Sequence, residues 1–354
     1  MVGGESTAAW IEGRPAAVEE AIGSGAERFR AARAPLLAGL VADVDAIRTA
    51  YDFAARVGGA LDPAASASLY PDLAVLAGAG AMTTTPSETL ARADVVLAIG
   101  RAAEAPFAAK LTRTAPARGR QGGIARRSVT ITDGPGGDAS RLPPLLGELR
   151  AVVAGRLSAP EPKLAEAADA LKTAAFGVAV YDPGELGDLA VEMLQGLVKD
   201  LNETARFSSL ALSDPLQGRA ALAAGLWTTG AGPRVGFGRS HAEHDPWRFD
   251  AGRMVASGEA DVVLWLASLP CPLPPWHEPA RTVALMGEPD GKAAAVVIRV
   301  AVPGETASGT LWDARRGTLV HREPSRPGGS SRAPTAAAVL AAIADAADAG
   351  TVRC

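Results

Sequence analysis

The chain has 354 residues, enough for two α/β domains or one large one. Hydrophobic residues make up 48% and charged ones 21%, which excludes wholesale disorder, while aromatics at 5% favour close-packed helices on a sheet. With 35 basic against 39 acidic residues the formal net charge is −4, and no global basic excess marks a nucleic-acid binder.

The N-terminal stretch MVGGESTAAWIEGRP has two acids before its first arginine and no apolar core, so it does not read as a signal peptide. A helical stretch from about Pro15 to Arg33 leads into the apolar run Ala34 to Leu40, a buried strand. Asp43 to Val57 carries apolar residues at helical spacing, with Asp43 suited to the N-cap and Gly58-Gly59 as the stop. Thr83 to Glu88 starts another helix. Asp94 to Gly100 is a continuous apolar, β-branched run of the kind buried on both faces of a parallel sheet. Ser128 to Thr132 is a short strand, and the Gly/Pro-rich stretch Asp133 to Pro144 reads as a connection.

The alternation then restarts. Strands are expected at Phe176 to Tyr181, Phe207 to Leu212, Asp261 to Ala267, Thr282 to Met286 and Ala294 to Ala301, with helices over Gly187 to Leu201 and Thr335 to Ala349. The loop Ser325 to Arg332 is expected to be mobile. Ala93-Asp94-Val95-Val96-Leu97 recurs as Ala260-Asp261-Val262-Val263-Leu264, an echo that a duplicated lobe or chance explains equally well. The alternation predicts a doubly wound α/β protein in two parts, 1–150 and 151–354.

Chemistry-bearing motifs are few. Cys271 and Cys354 cannot supply an iron–sulfur cluster or a closed cysteine-rich zinc site, and they point to a reducing cytoplasm. No apolar run is long enough to span a membrane. His241 and His244 form an H-x-x-H pair, but Gly236, Gly238 and Pro246 argue against the helix that a zinc site would need. The glycine pairs at Gly78/Gly80 and Gly230/Gly232 do not complete a dinucleotide fingerprint. Cys271, in a proline-rich loop without an identifiable base, reads as inert. Asp200 and Glu203 read either as facing carboxylates or as a capped helix end. Between Arg101 and Arg127, the bases Arg101, Lys110, Arg113, Arg118, Arg120, Arg126 and Arg127 face one acid, Glu104. That stretch is either a solvated or subunit-contact surface, or an anion-binding surface for a phosphorylated or polycarboxylate ligand.

The stretch Lys199 to Ser268 carries Asp200-Leu201-Asn202-Glu203, Thr228-Thr229-Gly230, Phe237, Arg239, Asp245-Pro246 and Gly258-Glu259-Ala260-Asp261. Ala34-Pro35-Leu36-Leu37, Val57-Gly58-Gly59, Arg92 to Val96, Val302-Pro303-Gly304 and Gly309-Thr310 extend the pattern over most of the chain. It resembles the B subunit of formylmethanofuran dehydrogenase, of the molybdopterin oxidoreductase superfamily. The resemblance implies two Rossmann-like lobes of the formate dehydrogenase type, without the iron–sulfur domain and with a C-terminal segment that can return to the first lobe. It departs from the redox members in having no N-terminal cysteine cluster and in placing Ser68 where they carry a metal-ligating Cys or selenocysteine. His241 and His244 fall where aromatic side chains are usual in the family.

These departures match the metal-less form expected in the formyltransferase/hydrolase complex of methylotrophic bacteria. The resemblance then implies a non-catalytic scaffold with no cofactor of its own. Its partners would be an amidohydrolase-like subunit, a formyltransferase subunit and a further subunit, moving a formyl group from tetrahydromethanopterin to a furan carrier and releasing formate. Arg113, Arg118, Arg120, Arg126 and Arg127 are the residues expected to meet a polyglutamylated carrier or an acidic partner. The rival readings are a redox-active pterin-binding subunit and a stand-alone ligand-binding module.

Overall fold

The computed structural model describes residues 8–118, 122–132, 139–212, 216–326 and 333–348. The chain opens with the hairpin β1 (Ala9–Ile11) and β2 (Arg14–Ala16), then α1 (Val18–Ala31), β3 (Pro35–Val41), α2 (Val44–Val57) and β4 (Ala60–Pro63). There follow α3 (Ser66–Ala79), α4 (Pro86–Arg92), β5 (Val95–Ile99), a 3-10 turn over Gly100–Glu104, α5 (Pro106–Arg113) and β6 (Arg127–Ile131). Next come α6 (Leu142–Val153), α7 (Pro162–Lys172), β7 (Gly177–Tyr181), α8 (Pro183–Leu201) and β8 (Phe207–Ala211). The remainder holds α9 (Gly218–Thr229), β9 (Val235–Gly236), β10 (Glu243–His244), α10 (Ala251–Ala256), β11 (Val262–Ala267), β12 (Thr282–Met286), β13 (Val296–Arg299), β14 (Gly309–Asp313), β15 (Thr318–Arg322) and α11 (Ala336–Asp348).

Two compact units divide this chain. The first is Met1–Ser66 with Asp214–Trp312 and Leu319–Cys354, and the second is Ala67–Ser213 with Asp313–Thr318. The sequence reading puts one boundary near residue 150, which falls inside the second unit, in α6. The reason is sheet topology. The first unit's sheet runs β10-β9-β4-β3-β11-β12-β13-β1-β2, so strands from both ends of the sequence hydrogen-bond to one another and the second unit is inserted between β4 and β11. The C-terminal helix α11 belongs to the first unit, where its contacts are with α1 and α2.

In the first unit, β4, β3, β11, β12 and β13 are mutually parallel. Every residue of β3 and β11 is buried, because both faces of the sheet are covered. Successive side chains alternate between two cores: Leu37, Leu40, Leu264 and Leu266 pack with α1, α2 and α11, while Leu36, Ala38, Val263 and Trp265 pack with α10 and the Trp276 loop. Each such Leu contributes about 1.5–3 kcal/mol by leaving water.

The second unit is a smaller parallel sheet of order β6-β5-β7-β8. Val95, Leu97 and Ile99 face α6, α7 and α8, and Val96 faces the core built from α4 and α5. Local chemistry sets the ends of these elements. Gly58 closes α2 in the left-handed conformation (φ 66°), and the Thr85 side chain accepts from the Glu88 N–H at 3.2 Å to start α4. The helix expected from Gly187 begins earlier, at Pro183, with a non-helical break at Gly187 (φ 69°, ψ 175°). Among the described residues no helix is long and apolar enough to cross a membrane.

Candidate functional site

In the second unit the strand order reverses between β5 and β7: β6 is added on one side of β5, and β7 and β8 on the other. The carboxyl ends of such a strand pair are where open α/β sheets place ligands. Here β5 runs into Gly100 and Arg101, while β7 runs into Asp182 and the turn Pro183–Leu186. The Asp182 carboxylate accepts from the Gly184 N–H at 3.0 Å. Glu185 accepts from the backbone N–H of Arg101 with both carboxylate oxygens, at 2.9 Å each. Ser68, in the first turn of α3, lies beside Gly184, where an added Cβ would stand 3.1 Å from the serine Cβ.

Ser68 places a hydroxyl where the redox-active subunits that the sequence resembles carry a thiolate or selenolate. A serine hydroxyl brings neither the charge nor the softness of a thiolate. Among the described residues no three of His, Cys, Asp and Glu gather into a metal-binding cluster. Cys271 belongs to the first unit, where its sulfur lies 3.4 Å from the Pro272 carbonyl. Cys354 lies outside the described residues.

Behind the strand ends the polar groups are tied to one another. The Tyr181 hydroxyl donates to Asp72, and the buried Gln195 amide donates to the Tyr181 oxygen at 3.2 Å and to Ser209 Oγ at 3.0 Å. Ser209 Oγ reaches the Met82 carbonyl at 3.3 Å. This run of hydrogen bonds ties α3, β7, α8 and β8 together.

The basic stretch is not one uniform surface. Lys110 and Arg113 on α5 are exposed, as is Arg118, whose N–H donates to the Ala91 carbonyl at 2.8 Å. Arg120 lies outside the described residues. Arg126 is different: its guanidinium donates to Ala93 O at 2.7 Å, Leu111 O at 3.1 Å and Thr114 Oγ1 at 2.7 Å, and also to the Thr114 and Leu90 carbonyls. It caps the C-terminal ends of α4 and α5 together, and burial pushes its pKa down. The sequence reading counted it among the bases expected to meet a carrier or an acidic partner; the fold commits its donors to backbone carbonyls and the Thr114 hydroxyl. Arg127, exposed at the start of β6, donates to Ala170 O at 3.2 Å and Thr173 Oγ1 at 3.0 Å at the end of α7.

The other motifs resolve into local structure. His241 Nδ1 lies 3.0 Å from the Arg239 carbonyl and His244 Nδ1 3.3 Å from that of Arg234, both exposed on the β9–β10 hairpin. Asp200 is paired with Arg150 at 2.7 Å. Gly230 is the left-handed cap of α9.

One buried charged group escaped the sequence reading. Asp62, at the end of β4, meets Arg234 Nε at 3.2 Å, with the two side chains 7% and 14% exposed. Arg234 also reaches Asp250 at 2.6 Å, and Asp62 accepts from the Ala251 N–H at 2.8 Å. Burial pushes the Asp62 carboxyl up, against the lowering effect of Arg234 and the Ala251 N–H. The only sequence sign is an acid next to a proline at the end of a short apolar run.

No protein-family profile matches the chain. The B subunit of the formyltransferase/hydrolase complex Fhc from Methylorubrum extorquens strain AM1 is 45% identical over 353 residues, covering 96% of this chain and 97% of that protein. This chain belongs to the Fhc B-subunit family. The crystal structure of the Methylorubrum extorquens complex FhcABCD with methylofuran contains a chain that superposes with a TM-score of 0.89 at 45% identity, over 96% of this chain and 98% of that one. The match to the Fhc protein thus spans both units, and with them the helices α3 and α8 that carry Ser68 and Glu185.

Proposed function

We propose that this chain is the non-catalytic, complex-forming subunit of a formyltransferase/hydrolase complex. In such a complex a formyl group passes from formyl-tetrahydromethanopterin to a furan carrier and is released as formate, in one-carbon oxidation. The observation that carries this reading is the end-to-end match to the Fhc B subunit, a component of a complex solved with methylofuran. The partners are an amidohydrolase-like subunit, a formyltransferase subunit and a further subunit, and this chain holds no cofactor. Its two parallel α/β units correspond to lobes of the molybdopterin oxidoreductase type, without the iron–sulfur domain and with the metal position reduced to Ser68.

The exposed arginines of the basic stretch, Arg113, Arg118 and Arg127 together with Arg120, meet either the polyglutamate tail of the carrier or an acidic partner surface. Several forked contacts on one flexible polyanion add through effective concentration, and no single residue dominates.

The test is a complex reconstituted with the unaltered chain and, in parallel, with Ser68→Ala, each analysed for molybdenum and tungsten. Unchanged formyl transfer and hydrolysis, with neither metal at stoichiometric level, is the expected result. Stoichiometric metal with bound pterin in the unaltered complex would restore the redox reading.

A further inference from the structure

The crevice outside the β5 and β7 strand ends is filled by the chain itself. Glu185 sits there with its side chain only 10% exposed, its two oxygens sharing the Arg101 N–H at 2.9 Å and Arg101 Nε 3.5 Å away. Gly100 has left-handed backbone (φ 57°), and a Cβ on it would stand 2.7 Å from the Glu185 carboxyl carbon and from both oxygens. The carboxylate therefore rests directly on a glycine, where any side chain would displace it. The break at Gly187 detaches the Pro183–Leu186 turn from the rest of α8, which lets that turn carry Glu185 to the end of β5.

Backbone N–H groups on glycine turns at strand ends, and arginine forks, are the kinds of donor that hold phosphate oxygens in nucleotide-binding α/β sheets, and one of each meets here. We infer that the β5–β7 crevice is an oxyanion cradle whose ligand is the chain's own Glu185 carboxylate. While Glu185 is in place, a pyrophosphate-bearing dinucleotide is kept out chiefly by volume and further by like charge. Removing the side chain leaves a site for a diphosphate. This inference concerns the chain alone and does not depend on the complex it joins, so an assembly experiment and the binding experiment below fail independently.

The probe is inorganic pyrophosphate, titrated calorimetrically into the full chain. Glu185→Ala is expected to bind it about tenfold more tightly than the unaltered protein, the equivalent of one charge-assisted hydrogen bond. Glu185→Gln, which keeps the volume and loses only the charge, is expected to gain much less. Equal binding by the unaltered protein and Glu185→Ala overturns the inference, and so does an equal gain in both variants, since that is a general charge effect. Should Glu185→Ala fail to fold, hydrogen exchange of the Arg101 amide in the unaltered protein decides. Slow exchange that saturating pyrophosphate leaves unchanged supports the cradle; exchange at the rate of an open loop, or slowed by pyrophosphate, contradicts it.

Discussion

Asp94 and Asp261 do the same work in different sheets. Asp94, immediately before β5, accepts from the N–H groups of Ala175 and Phe176 at 3.0 and 2.8 Å, ahead of the neighbouring β7. Asp261, immediately before β11, accepts from those of Arg33 and Ala34 at 2.7 and 3.1 Å, ahead of the neighbouring β3. In both units the aspartate clamps the two strands between which the strand order reverses. The sequence echo around these residues is nevertheless not a repeat in register. β5 is the first parallel strand of its sheet, whereas β11 follows β3 and β4 in the other, so the shared Ala-Asp-Val-Val-Leu lies on topologically different strands. The same local demand, a carboxylate for two backbone donors before a buried strand, explains the likeness.

Asp94→Ala and Asp261→Ala are each expected to cost about 1–3 kcal/mol, because two backbone donors lose a charged acceptor. Asn at either position recovers part of that, having one acceptor oxygen instead of two. Urea denaturation followed by circular dichroism reads the difference; two alanine variants as stable as the parent would refute the clamp.

Arg234→Gln leaves Asp62 buried without its cation and is expected to cost about 3–5 kcal/mol at neutral pH. The pH dependence has a definite sign. Burial already raises the Asp62 pKa in the folded state, so ionising it lowers stability as pH rises, and loss of Arg234 raises that pKa further. The deficit of the variant therefore shrinks on acidification and is smallest below the ordinary carboxylate range, where Asp62 is protonated both folded and unfolded. Unfolding curves at acid and neutral pH check this, and a deficit that grows on acidification would contradict it. Adding Asp62→Asn to Arg234→Gln restores part of the neutral-pH stability.

The basic stretch separates into two kinds of arginine. Arg126→Gln strips donors from the ends of α4 and α5 and is expected to lower stability by about 1–3 kcal/mol. Replacing Arg113, Arg118, Arg120 and Arg127 by Gln together leaves the melting temperature nearly unchanged but weakens carrier or partner binding. That loss is greatest at low salt, since screening already blunts such contacts at a Debye length of about 8 Å in physiological salt. Binding and assembly that both survive the fourfold change would make these residues a plain solvated surface.

Tyr51, wholly buried on α2, has no hydrogen-bonding partner for its hydroxyl among the described residues, and that oxygen would stand 2.5 Å from a Cβ placed on Gly225 of α9. Tyr51→Phe is accordingly expected to change stability by no more than about 1 kcal/mol in either direction. Gly225→Ala destabilises by about 1–3 kcal/mol through overpacking, and Tyr51→Phe in the same chain relieves it. A double-mutant cycle with no coupling between the two positions would show that α2 and α9 adjust by moving apart.

Much of the strand framework was legible because buried parallel strands leave continuous apolar runs: β3, β5, β7, β11 and β12 stand within a residue or two of where the pattern puts them. The short β4 was missed, since Ala60–Pro63 is too brief to show a period, and α3 was missed because Pro71 and its serine-rich start disguise it. The sequence reading allowed for a C-terminal return to the first lobe, but nothing local says that β4 and β11 flank the same strand. Ser68 was singled out only through the family resemblance. Glu185 and Asp62 were not, because each matters only through a partner far along the chain: Arg101 for one, Arg234 for the other.

The proposal that this chain acts by assembling with catalytic partners predicts that it co-purifies with them. Its most direct test is to express it, carrying an affinity tag, together with the other subunits of the complex, and to identify by mass spectrometry what co-purifies. Recovery of the amidohydrolase-like and formyltransferase subunits in fixed stoichiometry is the result predicted here. A chain that elutes alone, with the other subunits assembling and transferring formyl groups without it, would contradict the claim.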